Sequence, residues 1–193
     1  MNTESKIEAE KLRLNWREYG VKIAQLIYEA VKEMVPVEGT GIVTTRRVFD
    51  AEVNHDWDDQ VELAKEIYAL YRAEGIKVGH EEARKHNMTS CFQAPMIITR
   101  SKMDRTLPVE LFAFRVGNVG FISCDYEMFS EADLYIKENS PYPYTVLMTG
   151  NNYYIPSASA FNYRCYEADN GFFVRGTSEC LAETMVEMLK DIQ

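Results

Sequence analysis

Residues 109–124 constrain this chain more than any other stretch. Two apolar, β-prone runs, 109–116 and 119–124, flank Gly117-Asn118. A turn-prone pair between such runs predicts a β-hairpin with a two-residue connection. Beyond it the chain turns at Asp125-Tyr126, and a helix containing Glu127, Phe129, Leu134, Tyr135 and Ile136 is expected. Pro141 and Pro143 separate that helix from a strand at 144–148. A loop over 149–170 follows, then a closing helix over 179–191 with Leu181, Thr184, Met185, Met188, Leu189 and Ile192 facing inward. Thr177 or Ser178 is its expected N-cap.

Upstream of the hairpin, residues 3–35 read as a helix. Trp16, Tyr19, Ile23, Leu26, Ile27, Ala30, Val31 and Met34 form one stripe at helical spacing, and Pro36 and Gly39 end it. Gly20 costs about 1 kcal/mol relative to Ala inside a helix and predicts a break or a close packing contact. Residues 41–54 alternate as a half-buried strand, at an edge or in an antiparallel position. Acids at 56, 58 and 59 open a second helix that runs to Gly75. A short polar helix at about 80–87 leads to the apolar run 94–99. The pattern predicts an α+β fold, with a mixed or antiparallel sheet and helices packed mainly on one face.

At 193 residues one domain with a sizeable core is expected. A net charge of −9 argues against a nucleic-acid partner, whose phosphates demand clustered Lys and Arg. The densest basic pair, Arg46-Arg47, falls in a predicted strand and reads as a solvated face. Cys91, Cys124, Cys165 and Cys180 show no CxxC spacing, so buried free thiols are expected in place of a structural zinc. The first residues interleave acids and bases around no apolar core, which points to neither a signal peptide nor a membrane span and predicts a cytoplasmic protein.

Three residues at predicted element ends could carry chemistry. Glu127 follows a strand and a sharp turn, where a rigid base displays a carboxylate; a helix start offers it a purely structural role as well. Tyr154 follows the turn-prone Gly150-Asn151-Asn152, and Tyr166 lies twelve positions on. Either tyrosine can serve by packing its ring and hydrogen-bonding its hydroxyl.

Residues 111–147, LFAFRVGNVGFISCDYEMFSEADLYIKENSPYPYTVL, followed by 154–167, YIPSASAFNYRCYE, resemble the later part of the catalytic domain of neutral/alkaline non-lysosomal ceramidases and their bacterial relatives. The resemblance implies a zinc-dependent amidohydrolase acting on N-acyl amides. Glu127 matches a zinc-binding glutamate, and Tyr154 in Tyr154-Ile155-Pro156-Ser157 matches a second ligand. Tyr166-Glu167 matches the tyrosine that donates a hydrogen bond to the amide oxygen. Gly176 with Glu179 is similar to the family's approach to its closing helix.

The chain departs from the pattern in three places. Asp125-Tyr126 stands where the family has Pro-Gly or Pro-Ala, which predicts a re-aimed Glu127 and a second carboxylate. Thr149 occupies the place of an expected asparagine. The family's two zinc-binding histidines belong to an earlier segment that this sequence lacks, and His55, His80 and His86 lie in no matching motif. Each is expected to be a surface histidine.

Two oxygen ligands make a weak zinc site. The resemblance therefore implies the C-terminal half of such a domain, inactive alone and requiring a complementary N-terminal half. The alternative is a non-catalytic binding or structural module derived from the same fold. A sheet cut from its neighbours also predicts exposed apolar surface and self-association.

Overall fold

The computed structural model describes residues 16–39 and 41–193. Backbone contacts divide the chain into two units, Met1–Val37 and Glu38–Gln193. In the first, α1 (Trp16–Lys32) runs through Gly20 without a break, and among the described residues nothing stands within 4 Å of a Cβ placed there, so neither the expected break nor a close packing contact is found. Residues 3–15 of the predicted helix lie outside the described residues.

The second unit is α+β. Its strands are β1 (Ile42–Glu52), β2 (Thr106–Val116), β3 (Val119–Cys124), β4 (Glu127–Met128), β5 (Tyr144–Thr149) and β6 (Tyr154–Ile155). Four of them form a mixed sheet in the order β1-β2-β3-β5, while β4 and β6 pair separately. The expected hairpin is β2–β3, with Val116 opposite Val119. Gly117 turns it with a φ of 55°, a conformation that a residue lacking Cβ adopts without strain. β1 lies antiparallel to β2 at the sheet edge, and β5 runs parallel to β3 with Tyr144 opposite Val119.

Alternation along the strands sends Val109, Leu111, Ala113, Ile122 and Cys124 to one buried face. There they join Leu181, Met185, Met188, Leu189 and Ile192, contributed by α8 (Thr177–Asp191) and the residue after it. α5 (Ser130–Asn139) adds Ala132 and Ile136 to the same core. Full burial of each large side chain contributes about 1.5–3 kcal/mol. Arg47 fastens β1 to α8 through Glu187 at 3.1 Å and Asp191 at 2.6 Å, and Arg46 pairs with Glu110. Arg46 is solvated as expected, with 61% of its side chain exposed, while Arg47 lies against α8.

A second cluster forms where α2 (Val61–Glu74), α3 (Ile76–Lys85) and α4 (Gln93–Arg100) bury Ala64, Ile67, Ala83, Met88, Cys91, Ala94 and Ile97. α4 belongs to both clusters, because its Met96 enters the sheet core. Gly79 permits that packing: a Cβ there would stand 2.7 Å from Cβ of Tyr71.

Several expectations are corrected. Glu127 is not helical: tertiary pairing with Tyr154 keeps it extended, and α5 starts only at Ser130. The expected loop over 149–170 contains β6, α6 (Ala158–Tyr163) and α7 (Tyr166–Asn170). α8 begins at Thr177 after Gly176, with no side-chain cap, and Thr177 Oγ1 donates back to the Val174 carbonyl. Of the four free thiols, Cys91 and Cys124 are buried, Cys165 is partly covered and Cys180 is exposed. Among the described residues no helix is long and apolar enough to cross a membrane.

Candidate active-site cleft

Beyond their C-terminal ends, β3 and β5 continue as neighbours. Gly150 N donates to the Cys124 carbonyl at 2.7 Å, Asn152 N to Asp125 at 3.2 Å, and Glu127 N to Tyr153 at 3.2 Å. These bonds set Glu127 opposite Tyr154 in the short parallel β4–β6 pair. The approach depends on Gly150, where a Cβ would sit 2.3 Å from the Asp125 carbonyl oxygen and 2.7 Å from its Cα.

α6 and α7 fold the following chain back, so that the Tyr166 ring meets Tyr154 edge-on at 6.2 Å between centroids. Phe92, just before α4, meets Tyr166 from the other side at 6.3 Å. Glu127, Tyr154 and Tyr166 line one open cleft of about 630 Å³, together with Phe92, Met96, Asn151, Asn152 and Asn170. That volume falls within the range of small-molecule sites, roughly 300–1,000 Å³. Tyr166 is 51% exposed, so its ring is available to a ligand.

Burial, and after it the Glu127 carboxylate, Tyr166 and Glu167, push the Tyr154 phenol above its ordinary value. Tyr154 therefore presents a neutral hydroxyl to the cleft at physiological pH. The backbone around it is anchored by Glu179 at the start of α8, whose Oε1 accepts from Ala158 N at 2.8 Å. Arg100, 2% exposed, donates to the carbonyls of Asp169 at 3.4 Å and Gly171 at 2.8 Å, and so holds the end of α7.

Other expected participants lie elsewhere. Asp125 is exposed and does not line the cleft, so it adds no second carboxylate there, while Tyr126 packs its ring edge-on against Phe173 at 5.0 Å. None of the three histidines lines the cleft. His86 is exposed beside Glu82, as expected. The other two are partly buried: His55 Nδ1 meets Asp58 at 2.8 Å, and His80 Nδ1 accepts from Cys91 N at 3.1 Å. Their rings hold loops and helix ends in place.

The donors present do not by themselves fit a catalytic zinc. Such a site takes three protein ligands, usually with imidazole among them. Here the cleft offers one carboxylate and phenols. Among the described residues no three His, Cys, Asp or Glu side chains converge.

Sequence reasoning singled out three cleft residues and missed Phe92, Asn151, Asn152, Asn170 and the supporting Arg100. A lone arginine closing the apolar run 94–99 was the available signal for the last. Compared with family models, with curated proteins and with solved structures, the chain matches none.

Proposed function

We propose that this chain supplies the carboxylate and phenol side of an acyl-amide hydrolase site of the ceramidase-like kind, and that imidazoles from another segment complete it. One observation carries the reading: Glu127, Tyr154 and Tyr166, spread over the sequence, line one cleft of ligand size. In this reading Glu127 and Tyr154 are oxygen ligands for zinc. Tyr166 donates its hydroxyl proton in a hydrogen bond to the amide oxygen as negative charge develops there.

Calorimetric titration of the chain with zinc tests the incompleteness of the site. Weak, non-stoichiometric heats are expected. Tight one-to-one binding that Glu127→Ala and Tyr154→Phe abolish would instead mean a site complete in this chain. Co-expression with a histidine-rich complementary segment is expected to generate N-acyl amide hydrolysis. Tyr166→Phe should then reduce that activity by about 100-fold or more.

A second reading, a non-catalytic binding module, draws on the cleft walls, which are aromatic faces interleaved with asparagine amides. Such walls suit a planar, hydrogen-bonding ligand. It prevails if no histidine-bearing segment associates with the chain.

A further inference from the structure

A second cavity, of about 230 Å³, shares no lining residue with the cleft. α4 supplies its first and last residues, Gln93 and Arg100; Asp56 and Trp57 come from the stretch before α2, Phe161 from α6 and Asp169 from α7. Gln93 is fully buried, and its Oε1 accepts from Thr89 N at 3.0 Å, which fixes the orientation of the amide. Its Nε2 then has no hydrogen-bond partner among the described residues. Native folds hold few such buried donors, and each asks for an acceptor. Arg100 is in a similar position. Nη1 alone serves the carbonyls of Asp169 and Gly171, and among the described residues no carboxylate comes within 4 Å of the guanidinium.

Carboxylates nevertheless surround it. Burial lowers the Arg100 pKa, and the charges of Asp169, Asp56 and Asp58 oppose that shift. The charges on the lining itself balance, Arg100 and Arg164 against Asp56 and Asp169. Most of these groups are already engaged. Arg164 is turned to Asn87, with Nη1 donating to Oδ1 at 3.0 Å and Nη2 to the carbonyl at 2.8 Å. Asp169 accepts from Thr89 Oγ1, and Asp58 faces His55 Nδ1 at 2.8 Å. Asp56 is exposed and donates from its backbone N to Asn54 Oδ1, while its carboxylate has no hydrogen-bond partner among the described residues. Two buried donors and one carboxylate therefore stand uncommitted around one cavity.

The geometry points to a site for a free α-amino acid with an apolar side chain. Its carboxylate accepts from the Arg100 guanidinium and Gln93 Nε2, its ammonium donates to Asp56, and its side chain lies against Trp57 and Phe161. A simple anion would meet the donors but face three aspartates without a counter-charge. A simple amine would satisfy Asp56 and leave Gln93 and Arg100 unmet. Both charges on one carbon answer both needs, through charge-assisted bonds of about 2.7–2.9 Å that are stronger than neutral ones. Size agrees. The cavity is smaller than the roughly 300–1,000 Å³ of common ligand sites, which suits a single amino acid and excludes a peptide.

Calorimetric titration of the full chain with L-leucine and with L-phenylalanine tests this. One-to-one binding of at least one of them is expected, with a Kd below about 1 mM. For the amino acid that binds, the analogues lacking the ammonium (4-methylpentanoate or 3-phenylpropanoate) and those lacking the carboxylate (3-methylbutylamine or 2-phenylethylamine) should bind about tenfold more weakly or worse. Asp56→Lys, at an exposed position, and Gln93→Glu, which keeps the acceptor for Thr89 N, should each weaken binding by a similar factor, with circular dichroism matching the parent chain. In nitrogen-15 spectra the Gln93 side-chain amide and the Trp57 indole N–H should shift on addition of the ligand. No binding of either amino acid up to about 10 mM overturns the proposal. So does an analogue with one charge that binds as tightly as the amino acid, or a set of shifts centred on Tyr154 and Tyr166, which would place the ligand in the cleft.

Discussion

Tyr154 is held in its protonated form first by burial and then by the charges of its neighbours, Glu127 foremost and Tyr166 and Glu167 after it. The folded chain therefore keeps a proton that the unfolded chain releases near pH 10. The stability tied to that proton is complete below about pH 10 and declines as pH rises through the higher folded value. Because the Glu127 charge opposes phenolate formation, Glu127→Gln should lower the Tyr154 pKa toward the ordinary range. Ultraviolet titration near 295 nm, read as the difference between each chain and its Tyr154→Phe counterpart, isolates this one phenol. An unchanged difference curve would mean that the two groups do not feel each other, and would remove Glu127 from the phenol's surroundings.

Between elements, the decisive contact is the one at Gly150, where the chain leaving β5 runs against the chain leaving β3. Gly150→Ala forces a Cβ onto Asp125 backbone that has no room to yield. The substitution should cost about 1–3 kcal/mol in urea unfolding and shift the amide resonances of Glu127 and Tyr154 together. The sequence carried much of this level openly. The β2–β3 hairpin was legible because its turn pair and flanking apolar runs are local signals, and the inward stripe of α8 followed from helical spacing. Glu127 was expected in a helix because it follows the turn at Asp125-Tyr126 and leads into Phe129, Leu134, Tyr135 and Ile136. What keeps it extended is a hydrogen bond to Tyr153, 26 residues away, a contact no local pattern encodes. The small helices α6 and α7 escaped for a related reason: packing against α8 and α4 orders a stretch whose Asn, Ser and Tyr content reads as loop. Glu127, Tyr154 and Tyr166 stood out by their places at the ends of expected elements, whereas Phe92, Asn170 and Arg100 reach that region only through tertiary packing.

At the scale of the molecule, unit Glu38–Gln193 rests on two hydrophobic clusters that share α4, with Arg100 at the helix's end tying it to α7 beneath the cleft. A guanidinium 2% exposed, bonded to two backbone carbonyls, is costly to remove because those carbonyls then lose their partner. Arg100→Met should destabilise the unit by about 2–3 kcal/mol. It should also broaden the urea transition as the helical cluster begins to melt apart from the sheet. A sharp transition with an unchanged midpoint would show that the two clusters are joined by other means. The helix that closes the sheet core, α8, begins at Thr177, after the last sheet strand has ended at Thr149. On the ribosome, all four paired strands therefore emerge before the segment that shields their inner side. Until residues beyond Thr177 have been translated, the nascent polypeptide covers the inner side of its sheet only in part, with α5 and Met96 of α4, and this interval is when it most needs a chaperone.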